Sequence, residues 1–260
     1  MRQTLLTLLA CAAASIGGAA HASTFNVNPT RLDLKSVKSS AMLALRNTSN
    51  DDLRFQIEAF EWKQSLDGKV ELKPTQDVIF FPRILSIDAG KARNIRVGLN
   101  KASRKNKQAD NGALSREKTY RIIVQELPSR KTKQDAQQIQ ILTRMSIPIF
   151  VAPKTPITKV SLGKATAKEG CFSFDVKNEG NVHTMMGEVL VKGLGPSKQE
   201  LFSKTLPGWY VLAKDKRRYE VELPKALCSK TKSLEVLSSA ERSPLALSYS
   251  LPPEACHAQK

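Results

Sequence analysis

Two stretches decide the fold: TYRIIVQELP at residues 119–128 and QQIQILTRMSIPIFVAP at residues 137–153. In the first, Tyr120, Ile122 and Val124 alternate with Arg121 and Gln125. In the second, Ile139, Ile141, Thr143, Met145, Ile147 and Ile149 recur at every other position. A period of two puts alternate side chains on opposite faces of a strand, so both stretches read as β. The break between them, SRKTKQDAQQ, offers almost nothing to a core, and an antiparallel hairpin with a solvated connection follows. Pro148 and the polar break give the second strand the character of a sheet edge, where unpaired backbone recruits another chain. An ordinary core strand of a β-sandwich fits the same pattern.

Outward from this hairpin the alternation continues on both sides. FNVNPTRLDL suits a kinked amino-terminal edge strand with Arg31 set inside an apolar pattern. AMLALRN ends in a polar turn at Asn47 to Asp52, where Asn47, Thr48 and Ser49 also form a glycosylation sequon. LRFQIEAFEW, VIFFPRILSIDAG and ARNIRVGL are further strands, with a tight turn at Asp67 and Gly68. Residues 100–118 are strongly charged and read as a loop. APKTPITKV, with Pro153 and Pro156, reads as a linker. Beyond it CFSFDVKN, MMGEVLVKG, WYVLAKDKRRYEVEL, SLEVLSS and LALSYSL are β-periodic again. Many short strands with no amphipathic helix between them indicate an all-β chain of two sandwiches.

The first 22 residues have the form of an export signal: Arg2, an apolar run from Leu5 to Ala14, and Ala20-His21-Ala22 as a small-x-small cleavage site. Neither this run nor any later one is long enough for a membrane span. Removing Arg2 takes the formal charge from +17 to +16, so the exported chain is strongly basic and an acidic partner is expected. Three cysteines then remain, Cys171, Cys228 and Cys256. An oxidising compartment favours one disulfide with one cysteine left over. With His183 and His257 as the remaining histidines and no CxxC, a metal site is not expected. No GxSxG, HExxH or GxxxxGK[ST] motif supports a secreted enzyme. The basic charge alone does not support nucleic-acid binding in an exported chain without an aromatic-rich basic face.

Taken in order, NPTRLDL, LALRNTSN, the Trp62 to Pro82 region ending in VIFFP, IDAGKARNIRVGL, YRIIVQELP and IQILTRMSIPIFVAP resemble the periplasmic pilus chaperones of the chaperone–usher pathway, the PapD-like family. VKNEGNVH and WYVLAKDKRR resemble its archaic variety, and the short break after Pro128 with no flanking cysteine resembles the short-loop type. The resemblance implies two immunoglobulin-like sandwiches in a boomerang, residues 23–152 and 153–260. It implies a function in which pilus subunits are bound, folded and capped by donor-strand complementation and passed to an outer-membrane usher, without cofactor, ATP or membrane insertion. The other reading is an exported structural or adhesive, pilin-like β-protein.

By resemblance, the donor strand is Ile139, Ile141, Thr143 and Met145, and Arg31 is the cleft arginine that receives the subunit's terminal carboxylate. The family's partner lysine falls on Pro148 here, which carries no charge. Antiparallel pairing sets the end of this strand beside the beginning of the previous one, making Arg121 the expected substitute and Arg144 the second choice. An immunoglobulin-like second domain would bring Cys171 near Cys228, the expected disulfide, with Cys228–Cys256 as the alternative.

Overall fold

A computed structural model describes residues 24–100, 114–128, 141–241 and 243–256. The expected export signal at 1–22, Ile139, the break at 129–138, most of the charged loop and His257 lie outside the described residues.

Among the described residues ten strands build the first sandwich: β1 (Phe25–Asn28), β2 (Leu32–Leu34), β3 (Ser40–Asn47), β4 (Leu53–Gln64), β5 (Val70–Pro74), β6 (Val78–Phe81), β7 (Ile84–Ile87), β8 (Ala92–Leu99), β9 (Lys118–Leu127) and β10 (Arg144–Val151). One sheet has the order β1-β3-β8-β6 and the other β2-β10-β9-β4-β5, with β7 also beside β4. The kink at Pro29 is where the chain crosses from one sheet to the other. Alternate residues from both sheets, Leu43, Leu45, Phe55, Val97, Ile122 and Ile149 among them, fill one core from which water is excluded. β9 and β10 form the expected antiparallel hairpin pair, with Ile147 opposite Ile122 and Pro148 opposite Arg121.

The second sandwich comprises β11 (Val160–Lys168), β12 (Cys171–Asn178), β13 (Thr184–Met185), β14 (Val189–Leu194), β15 (Glu200–Leu206), β16 (Tyr210–Val211), β17 (Lys216–Glu222), β18 (Ser233–Ala240) and β19 (Ser243–Ser250). Sheets β11-β12-β17 and β15-β14-β18-β19, with the pair β13-β16, enclose a separate core around Phe172, Phe174, Val191 and Val236. Before β18 stands a one-turn helix, α1 (Lys225–Cys228), and after β19 a 3-10 turn, Pro253–Cys256.

Both sandwiches use the same device at a turn. Asn47 is fully buried and donates to the carbonyls of Asp51 (2.7 Å) and Ile87 (3.0 Å), while its side-chain oxygen accepts from the Ser49 backbone and hydroxyl. Asn178 likewise donates to Val182 (2.8 Å) and Val211 (2.9 Å) and accepts from the Gly180 backbone. A buried amide with all its hydrogen-bonding capacity engaged pins a turn to the facing strand. The sequon at Asn47 is therefore a turn signal, with its amide inside the fold.

The cysteine pairing differs from the expected Cys171–Cys228. The disulfide joins Cys228 and Cys256, and Cys171 is free. Phe172, Phe174 and Val176 point into the core, so Cys171, one residue out of phase, points away from it. Cys228 on α1 is buried in that core, and the tail returns to it as Gly170 donates to the Ala255 carbonyl (2.6 Å) and Cys256 packs on the same cluster. Closing a loop across a separation of 28 residues contributes about 3–4 kcal/mol in the loop-entropy account. Alkylation of the unreduced, denatured protein is expected to label Cys171 alone among the described cysteines, and a peptide map to recover Cys228 linked to Cys256. Partial burial, with Glu220 nearby, raises the Cys171 thiol pKa, so labelling of the folded protein should be slow at neutral pH.

Candidate functional site

The face of the β2-β10-β9-β4 sheet turned away from the first core carries the candidate site. Leu32 is level with Ile149 in the parallel β2–β10 pair, which sets Arg31 at the level of Pro148. Pro148 faces Arg121, and Arg121 faces Phe60. The next row on the same face holds Asp33, Phe150, Thr119 and Trp62: Asp33 and Phe150 are paired, Phe150 and Thr119 are paired, and the Thr119 hydroxyl donates to the Trp62 carbonyl at 2.8 Å. Charged, proline and aromatic residues on this one face alternate with the aliphatic core residues behind them.

The two arginines of the row have different environments. Arg31 is half exposed, and its Nε donates to Asp33 Oδ2 at 2.9 Å. Partial burial lowers the Arg31 pKa, but Asp33 and then Tyr210 outweigh that, and the net direction is upward. Arg121 is only 5% exposed, with its guanidinium carbon 4.0 Å from the centre of the Trp62 ring. Nη1 donates to Ser146 Oγ at 3.2 Å, while Nε and Nη2 have no hydrogen-bond partner. Desolvation lowers the Arg121 pKa, opposed by Tyr210. A guanidinium remains a cation even so, and the indole face stabilises it. Arg144 stands opposite Gln125, four residues from Pro148 and so about 13 Å along the strand. Register thus brings Arg31 and Arg121 to one row and leaves Arg144 out of it.

β10 has an open edge. Among the described residues β2 covers it only at Ile149–Val151. The Glu126 N–H donates to the Thr143 carbonyl (2.9 Å), so this pair faces inward, and every second residue from it, Met145, Ile147 and Ile149, does the same. Arg144, Ser146 and Pro148 therefore turn their backbone groups outward, and at Pro148 there is no N–H to offer. Thr143 N–H is taken by the Glu126 carboxylate at 3.0 Å rather than by a carbonyl, and β10 begins just beyond it. Of the expected donor set, Met145 packs partly on the first core, Thr143 is half buried, and Ile141 is 52% exposed on the same face of the chain.

A joint between the sandwiches backs this face. Trp62, Phe150 and Leu212 form a small buried cluster with Tyr210 against it, the Tyr210 ring lying 5.6 Å from Trp62 and 5.3 Å from Phe150. His183 stacks on Phe150 at 3.5 Å between ring centres, and Glu117 accepts from both its backbone N–H (2.7 Å) and its Nδ1 (2.8 Å). Gln64 donates to the Tyr210 carbonyl at 2.9 Å, and Asn181 donates to Ser115 and Thr155. The β4–β5 turn extends the joint: the Arg218 N–H donates to Leu66 (2.7 Å), and Gly68, at φ +84°, leaves room for Arg217, whose Nε a Cβ would approach to 2.5 Å. VKNEGNVH and WYVLAKDKRR supply His183, Asn181 and Tyr210, residues to which sequence alone assigns no partner because their contacts lie across the joint. Among the described residues no group of three acidic, histidine or cysteine side chains is arranged to hold a metal.

The sequence pattern of pili and flagellar-assembly chaperones, in their PapD N-terminal domain, matches residues 24–156, the whole sandwich that bears this row. The chain belongs to that family. Solved structures show the same fold across both sandwiches of this chaperone. The complex of the CsuC chaperone with the CsuE tip subunit, from archaic Csu pili of Acinetobacter baumannii, is 19% identical with a TM-score of 0.58, over 86% of this chain and 97% of that one. The CupB2 chaperone of Pseudomonas aeruginosa is 13% identical (TM-score 0.52; 87% and 100%), and the SafA pilin–SafB chaperone complex of Salmonella enterica is 11% identical (0.53; 88% and 98%). No curated protein matches the chain. At these identities the likeness establishes the fold, two immunoglobulin-like sandwiches.

The joint makes a testable demand on this chaperone. Glu117→Ala strands the buried His183 N–H without an acceptor, at an expected cost of about 1–3 kcal/mol. Calorimetry should show a lower melting temperature, with the two sandwiches beginning to melt in separate transitions.

Proposed function

We propose that the protein is a periplasmic chaperone, residues 1–22 being its export signal and 23–152 and 153–260 its two domains, that binds, folds and caps pilus subunits by donor-strand complementation and delivers them to an outer-membrane usher. The observation that carries this reading is the open edge of β10, along which exposed Ile141 leads toward a row containing a half-exposed arginine. A subunit lacking its last strand has a groove of unpaired backbone and empty apolar pockets. An added strand satisfies the backbone, and alternate side chains enter the pockets. Burying Ile141 in this way contributes about 1.5–3 kcal/mol. Arg31 offers the fork of its guanidinium to the subunit's terminal carboxylate, which sets the register. Arg121, behind it, supplies positive potential from a buried position, the part that a lysine at 148 plays elsewhere in the family.

Delivery to an usher needs a second surface that stays free while the subunit is held. Met42, Ile79 and Phe81, 51%, 52% and 77% exposed, lie together on the outer face of the other sheet, where Arg96 separates Met42 from Phe81. Exposed apolar groups of this kind mark interaction sites.

Copurification with the β-rich exported proteins encoded beside this gene tests the reading. Arg31→Ala is expected to weaken retention of a copurifying subunit about 10- to 100-fold while leaving the melting temperature unchanged, since the side chain is half exposed. Undiminished retention would remove Arg31 from the anchor. Ile141→Asp places a carboxylate where an apolar pocket must close, so subunit binding is lost in a folded chaperone. A folded Ile141→Asp variant that still retains its subunit would refute the donor-strand assignment.

A further inference from the structure

We infer that Tyr210, from the second domain, is a direct ligand of the subunit's terminal carboxylate, completing with Arg31 an anchor to which both domains contribute. The inference rests on the chaperone reading above and adds a residue to its binding site. Arg121 stands opposite Pro148 in register, but it lies over Trp62 at 5% exposure, and among the described residues its hydrogen bonds run to Ser146. A carboxylate arriving from the cleft thus meets Arg31 and needs a second donor from another element.

Tyr210 is built to provide one. Its ring is wedged against Trp62 and Phe150 and lies 5.5 Å from His183. Its carbonyl is held by Gln64, so groups of the first domain fix a residue of the second. The ring packs on the indole over which Arg121 lies, beside the row that holds Arg31, and Tyr210 favours the charged form of both arginines. Neither guanidinium can accept a hydrogen bond, so beside them the phenol proton is available to an incoming acceptor. A hydroxyl polarised by a neighbouring cation is a stronger donor, and a carboxylate oxygen is its natural acceptor. Asp33 helps by engaging Arg31 through Nε alone, which leaves the two terminal nitrogens for the incoming group.

The probe is the subunit that copurifies with the wild-type chaperone, prepared with its native C terminus and with a Gly-Gly extension that carries the carboxylate out of the row. Release is followed by exchange against excess labelled chaperone. Tyr210→Phe keeps the ring and removes the hydroxyl. It is expected to speed release of the native subunit about 3- to 10-fold and to reduce the preference for native over extended subunit by the same factor. An unchanged native release rate in Tyr210→Phe, with faster release in Arg31→Ala, overturns the role of Tyr210 and leaves the anchor standing. Faster release of both forms by the same factor shows that the hydroxyl acts through the joint, and also overturns the inference. Unchanged release in Arg31→Ala, or no subunit bound to the wild type, overturns the anchor reading beneath it.

Discussion

The antiparallel pairing that sets Pro148 beside Arg121 governs the cleft face in three ways. It lays Arg121 on the Trp62 indole, so a cation is buried with an aromatic face in place of a counter-charge. It turns the backbone of residue 148 outward, where proline offers no N–H, so a strand added along this edge loses its ladder at this level. And because Leu32 is level with Ile149, it puts Arg31 where that ladder ends. In the proposed complex, side-chain recognition would begin at the residue where backbone recognition stops.

Burial of Arg121 would be costly in isolation. Its Nε and Nη2 have no hydrogen-bond partner, and truncating Trp62 would leave the charge without its main compensation. Trp62 in turn belongs to the cluster with Phe150 and Leu212 that joins the sandwiches. Charge placement and domain packing are therefore one problem solved by one indole, and changes at the joint should be felt at the cleft.

Most of the first sandwich was legible in the sequence because its strands bury one face, and alternation is a local signal: β3, β4, β8, β9 and the apolar part of β10 all follow it. Antiparallel pairing pointed to Arg121 as the neighbour of residue 148 with Arg144 as the alternative, and the register that sets Pro148 opposite Arg121 came from the structure. Other features depend on contacts distant in sequence. β11 and β15 were missed because GKATAKEG and KQELFSKTL carry few apolar residues on their inner face. The cysteine pairing turned on whether Cys171 faces the core, a one-residue matter of phase. The burial of Arg121 and the partners of Tyr210, Glu117 and His183 are fixed by a domain interface that leaves no period in either half of the chain.

The joint also bears on how strongly a subunit can be held. Glu117 grips His183 through two contacts, Asn181 ties the carbonyls of Ser115 and Thr155, and the β4–β5 turn is bonded to β17. A binding surface shared by two loosely tethered domains would have to fix their relative orientation anew each time a partner arrived, and that lost freedom would be subtracted from the affinity. Here the orientation is set when the chain folds. A short strand and a single terminal charge can then suffice to hold a whole unfolded subunit, because almost none of their interaction energy goes into assembling the site.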